Sequence, residues 1–143
     1  MKEIQLFPFA FYLIVVSCVV LLTFFSLVHR DIFSGILAIF LFLIVIFFSY
    51  MTIAIGKDDL IVSFGLFGWP RWKIARNEVL QCEIIKFRPL FDFGGWGIRK
   101  FHGGLGLIAR GPDGIRLILH DGRQYVISAQ RGEAICNLIR GRR

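Results

Sequence analysis

The sequence predicts a two-helix transmembrane hairpin followed by a mainly-β sandwich or barrel with a C-terminal capping α-helix. Three observations predict it. Two apolar runs, residues 7–28 and 32–50, are separated by only His29-Arg30-Asp31. From Thr52 the apolar period shortens to that of strands, punctuated by Gly, Pro and Asp turns. The last segment, 129–140, sets Ala134, Ile135, Leu138 and Ile139 on one helical face.

Each apolar run has roughly the 20 residues that a helix needs to cross a bilayer core. Pro8 stands near the start of the first, where its missing N–H costs little. Phe7, Phe9, Phe11 and Tyr12 crowd the same end, as interfacial aromatics do. Ser17, Cys18, Thr23 and Ser26 are small enough to let two helices approach closely. Neither run holds an acidic, basic or amide side chain, which argues against an ion or proton pathway. The first run is longer than a signal-peptide core and has no basic leader, so it is expected to be retained.

The expected division is therefore a hairpin over 1–50 and a β domain over 51–143. The domain is read as Thr52 to Gly56, a turn at Lys57-Asp58-Asp59, then Leu60 to Phe64 and Arg71 to Ile74. Further strands are expected over 79–87, 96–99, 105–109, 115–119 and 123–128, with Pro89 ending the first of these. Asp121-Gly122 favours a tight hairpin, and Ser128 is a candidate N-cap for the final helix.

Charge is distributed as unevenly as hydropathy. Of the net +7, residues 1–55 contribute nothing, because Lys2 and Arg30 offset Glu3 and Asp31. A basic domain beside a membrane is expected on the cytoplasmic face, with both termini cytoplasmic and the multi-pass chain in the inner membrane. Cys82 and Cys136 stand apart in sequence, with no CxxC and no histidine at ligand spacing, and on that face they are expected to be reduced thiols. No catalytic constellation, metal site or cofactor motif is expected. The glycines between 94 and 106 open no helix in a GxGxxG pattern. His29, His102 and His120 read as surface histidines.

Two segments carry candidate binding residues. Trp69, Arg71, Trp72 and Lys73 interleave aromatics with cations, as a turn at a lipid interface would. Trp96, Arg99 and Lys100 follow a glycine pair; there glycine is expected to let strands cross closely while Trp96 covers the gap. Lys86 and Arg88 group with Arg99 and Lys100 on the expectation that their strands are neighbours.

With its two N-terminal apolar runs, its Ile61-Val-Ser-Phe-Gly-Leu-Phe-Gly-Trp-Pro-Arg-Trp-Lys-Ile segment, its Gly94-Gly-Trp-Gly-Ile-Arg and its Asp121-Gly-Arg-Gln-Tyr-Val-Ile-Ser, the chain resembles bacterial membrane-anchored pleckstrin-homology-like (PH-like) proteins. The resemblance implies a bent sandwich of about seven strands capped by a helix, and no particular ligand. The expected function is a non-enzymatic, membrane-anchored module that binds a partner protein or a second copy of itself. Binding of anionic lipid headgroups is the first alternative, and an accessory role in a membrane transport or envelope assembly the second. Nucleic-acid binding is not expected, since only charge speaks for it.

Overall fold

The computed structural model describes residues 1–30, 32–47 and 50–141. Asp31 of the expected turn, and Phe48 and Ser49 of the expected second run, lie outside the described residues.

The first apolar run forms α1 (Phe9–His29). Pro8 precedes it with φ −59°, and Arg30 ends it in the left-handed region, its N–H donated to the Ser26 carbonyl. With 21 residues, mean hydropathy 2.7 and no buried residue in its most apolar stretch, α1 is long and apolar enough to cross a membrane. The second run forms the shorter α2 (Ile32–Phe47). The two pack antiparallel: Thr23 and Ser26 of α1 share a seam with Gly35 and Ala38 of α2. A Cβ on Gly35 would stand 3.0 Å from the Ser26 hydroxyl, so glycine sets how close the helices come. Ser17 and Cys18 are exposed and take no part in this seam.

The rest is two sheets. The first has the order β1-β2-β3-β4, formed by β1 (Lys2–Leu6), β2 (Tyr50–Ile55), β3 (Asp59–Phe64) and β4 (Arg71–Ala75). β1 has no counterpart in the sequence reading. It pairs antiparallel with β2 from Lys2↔Ala54 to Leu6↔Tyr50, so the sheet takes in residues on both sides of the helix pair. Tyr50 opens a strand and does not close a helix.

The second sheet has the order β5-β8-β9-β7-β6, from β5 (Val79–Lys86), β6 (Gly97–Phe101), β7 (Gly104–Ile108), β8 (Asp113–Leu119) and β9 (Gln124–Ser128). It is not a plain succession of hairpins: β9 inserts between β8 and β7 and runs parallel to β7. A short helix α3 (Pro89–Phe93) follows β5. The final helix α4 (Gly132–Arg140) packs on β5 and β8.

Alternation explains the core. In β2 and β3 every second residue is buried, which turns Met51, Ile53, Ile55, Leu60, Val62 and Phe64 inward. They meet Leu107, Ile115, Leu117 and Ile127 of the second sheet, and Ile135 and Ile139 of α4 close the cluster. The base of α1 joins it, because Phe7 is buried and Phe11 and Tyr12 pack against the same residues. Phe7 lies 5.1 Å from the Phe11 ring and 6.4 Å from that of Phe64.

β1 breaks the usual pattern. Its polar residues Glu3 and Gln5 face in, and Ile4 and Leu6 face out. The Glu3 carboxylate accepts from the Gln5 amide (2.6 Å), from the Gln130 N–H (2.8 Å) and from the Arg131 N–H (3.3 Å). Gln5 also donates to the Ser128 carbonyl (3.0 Å) and accepts from the Ser128 hydroxyl (2.9 Å). That hydroxyl in turn accepts from the Ala109 N–H. Ser128 is therefore not an N-cap. Glu3 instead binds the two backbone N–H groups that lead into α4, a carboxylate placed before the positive end of the helix by a strand distant in the chain.

Cys82 on β5 and Cys136 on α4 are joined by a disulfide, with Cα atoms 5.5 Å apart. This corrects the expectation of isolated thiols. Fifty-four positions separate them in sequence, and only the packing of α4 on β5 brings them together. Cys18 is the free cysteine.

Candidate functional site

The candidate residues divide between the two sheets. Trp69, Arg71, Trp72 and Lys73 belong to the β3–β4 connection and to β4, an edge of the first sheet. Trp96, Arg99 and Lys100 lie in or beside β6, an edge of the second. Lys86 and Arg88 stand at the end of β5, the opposite edge from β6, so the expected neighbouring of these two strands is corrected. Arg88 stacks over the Phe91 ring at 5.0 Å, and its N–H donates to the Asp92 carboxylate.

The four residues of the first group do different things. Trp72 faces inward opposite Val62 and meets Phe64 edge-on at 6.0 Å between centroids, so it serves the core. Lys73 is ion-paired with Asp59 at 3.0 Å. Arg71 is exposed and stands opposite Ser63. Trp69 is 69% exposed in the connection itself. Leu66 and Phe67, which the sequence reading passed over, are 61% and 71% exposed beside it.

Register fixes where that connection sits. β2 begins at Tyr50, three positions beyond the end of α2 at Phe47, and β3 runs back antiparallel so that Phe64 faces Met51. The Gly65 N–H donates to the Tyr50 carbonyl at 2.7 Å, and the Phe64 N–H to the Pro70 carbonyl at 3.1 Å. Residues 65–69 therefore project from the end of the sheet from which the helices leave. Gly65 and Gly68, with φ of 67° and 63°, make the turn that L side chains would strain.

At Gly104 the expected close approach holds, since a Cβ there would collide with the Gln124 carbonyl of β9, whereas the Gly94-Gly95-Trp96-Gly97 turn works differently. Gly94 and Gly97 have positive φ, and a Cβ on either would meet nothing within 4 Å. Backbone conformation, not close crossing, requires them. Trp96 is half-buried and packs against both apolar clusters of the core. Arg99 and Lys100 are exposed.

At the other end of the first sheet lies an open cleft of about 630 Å³, lined by Lys57, Asp58, Asp59, Arg76, Asn77 and His120 among others. The Arg76 guanidinium donates to the Gly56 and Lys57 carbonyls there, which ties down the β2–β3 turn. Charges of both signs line this cleft. Among the described residues no cluster of histidine, cysteine or carboxylate could hold a metal ion. The Asp121 carboxyl, in the β8–β9 turn, is shifted by its neighbour Arg123. The Arg123 N–H and then its guanidinium hold it below the usual range, in an exposed turn clasp.

Comparison with known proteins finds no family model that matches the chain, no curated relative and no similar solved structure.

Proposed function

We propose that the chain is a non-enzymatic, membrane-anchored PH-like module. In this reading α1 and α2 cross the bilayer as a hairpin, and the β domain stands at the surface to bind a partner protein or a second copy of itself. The observation that carries the anchoring is the pairing of β1 with β2. Leu6 and Tyr50 face each other across a ladder, so the helix pair leaves and rejoins one end of one sheet. A hairpin held in this way crosses twice and returns to the same side. α2, at about 24 Å for its 16 residues, is short for a bilayer core of about 30 Å, so local thinning or flanking residues make up the difference. The PH-like assignment draws on a sandwich capped by a helix, together with the sequence resemblance.

The test is in-cell crosslinking and pull-down of the full chain, with residues 1–50 alone as control. Partners, or copies of the chain, recovered only with residues 51–143 present are the expected result. Recovery of the same set with the control would move the interaction into the helices. Hydrolysis or group transfer on a defined substrate by the purified chain would overturn the non-enzymatic reading.

A second reading of the domain's chemistry is binding to anionic headgroups, favoured by exposed Arg71 beside exposed Trp69. It requires attachment to anionic vesicles that weakens steeply with salt. Sidedness also has two readings. The basic balance of residues 56–143 favours the cytoplasmic face of the inner membrane. The Cys82–Cys136 bond favours an oxidising compartment. Blocking free thiols in intact cells, then reducing and counting newly labelled cysteines, separates the two.

A further inference from the structure

We infer that the β3–β4 connection, through Leu66, Phe67 and Trp69, inserts into the interface of the same bilayer that holds the helix pair. The domain then meets the membrane at three points: the base of α1, the base of α2 and this tip. The inference rests on the membrane reading of α1 and α2 and adds to it an orientation.

Four observations carry it. From Gly65 to Trp69 the tip has no polar side chain, although its three large residues are each more than 60% exposed. A turn in water favours Asn, Asp and Ser, so an all-apolar tip fits an apolar surrounding. The tip is bonded to Tyr50, the first residue of the strand that follows the helix pair, through Gly65 N–H to the Tyr50 carbonyl, so it stands at the end of the sheet from which the helices leave. The side-chain order also matches a membrane boundary: Leu66 and Phe67 lead, Trp69 follows at the depth that indole prefers, and Arg71 stands where a headgroup phosphate would. Finally, Phe64 and Trp72 turn inward at the stem, so the tip is backed by core residues that hold its direction. Lys73 contributes nothing here, because Asp59 holds it at the other end of the strand.

The full-length chain in lipid vesicles tests this by tryptophan quenching with lipids brominated at shallow or deep chain positions. Trp72→Phe with Trp96→Phe leaves Trp69 as sole reporter. A second variant with all three tryptophans replaced by Phe carries Phe24→Trp in α1. The expected result is strong quenching of Phe24→Trp, strongest with deep bromine, and quenching of Trp69 strongest with shallow bromine. Aqueous acrylamide should quench Trp69 less in vesicles than in the lipid-free unfolded chain. If Phe24→Trp is quenched and Trp69 is not, the tip is outside the bilayer and the inference fails while the membrane reading stands. An unquenched Phe24→Trp overturns both. A photo-crosslinking analogue at Phe67, with all tryptophans native, gives an independent readout: adducts with lipid support insertion, and adducts with a protein alone assign the tip to a partner and overturn it.

Discussion

Removing the Cys82–Cys136 bond, either by reduction or as Cys82→Ala with Cys136→Ala, should loosen the domain severely. The cross-link spans 54 positions. That stretch contains most of β5, α3, β6 through β9 and the first half of α4, so one bond encloses nearly the entire second sheet. Closing a loop of about 55 residues removes about 14 cal/mol/K from the unfolded chain, or about 4 kcal/mol at 25 °C. Native-state relaxation and residual structure in the unfolded chain reduce this, so about 3 kcal/mol is the working figure. Domains of this size shift by about 4–8 °C in Tm per kcal/mol, which puts the expected loss above about 12 °C. The assay is thermal unfolding of the full chain in detergent, followed by tryptophan emission with and without reductant. Amide exchange adds a position-specific readout. Arg140 donates to the Cys82 carbonyl at 2.6 Å, and Ile135 and Ile139 are buried, so α4 should lose protection first. A shift under about 2 °C, well below the working figure, would refute the loop-closure argument. Three alkylatable thiols in the native, unreduced protein, in place of Cys18 alone, would remove its premise.

Three further predictions follow from local geometry. Glu3→Gln keeps the shape but exchanges a carboxylate that accepts two backbone N–H groups for a neutral amide; it should cost about 1.5–3 kcal/mol and speed exchange in α4, and an unchanged denaturation midpoint would show that these bonds carry no weight. Gly35→Ile forces a branched side chain toward Ser26, so disulfide crosslinking between Thr23→Cys and Ala38→Cys should fall sharply, whereas an undiminished yield would mean the helices do not meet there. For Asp121 the sign is that of a depressed carboxyl: its folded pKa lies below the unfolded value of about 3.9, so the clasp is intact above that value and is released as pH falls through the lower folded pKa. An NMR titration of its carboxyl should therefore show a midpoint below about 3.9, and Arg123→Ala, which removes the guanidinium but keeps the backbone N–H, should raise it only part of the way back.

Much of this fold was legible because hydrophobic periodicity reports it directly. The strands from Thr52 to Ser128 and the final amphipathic helix lie close to where alternation and turn residues put them. The failures share a cause. β1 escaped notice because its inward face is polar: Lys2-Glu3-Ile4-Gln5-Leu6 alternates, but with the sense inverted, and a search for buried apolar residues scores the wrong face. Only the tertiary partners, Ser128 and the start of α4, make Glu3 and Gln5 interior residues. The disulfide was invisible for the same reason, since spacing gives no hint that α4 returns to β5. The parallel pairing of β7 with β9 depends on a crossover that no local signal encodes. At the candidate site, aromatic and cationic residues marked the right loop, while register decided their roles. The alternation that turns Trp72 inward leaves Arg71 outside, and the exposed Leu66 and Phe67 gain meaning only because Tyr50 sits beside them.

The placement of the helix pair between β1 and β2 has a consequence for what can fold alone. A fragment of residues 51–143 lacks β1, hence Glu3, Gln5 and the buried Phe7. Burial of one phenylalanine is worth about 1.5–3 kcal/mol, and the charged hydrogen bonds of Glu3 about as much again. Together these rival the smaller values of whole-domain stability, about 5 kcal/mol. The fragment is therefore expected to lack a cooperative thermal transition. Joining the two strands directly should restore it. Leu6 and Tyr50 are register partners, and antiparallel partners lie about 4.5–5.5 Å apart. Replacing residues 8–49 by a two-to-four-residue glycine-rich turn spans that gap and should yield a cooperatively folding β domain. The comparison separates two roles for the N-terminus. If the fragment melts as cooperatively as the turn-linked chain, β1 is a bystander and the polar contacts around Glu3 are incidental. If only the turn-linked chain folds, the first strand completes a sheet whose other strands come after the helices. The β domain then closes only once Lys2 to Leu6 has been brought back beside β2, so the helix pair between the two strands also sets the register that finishes its core.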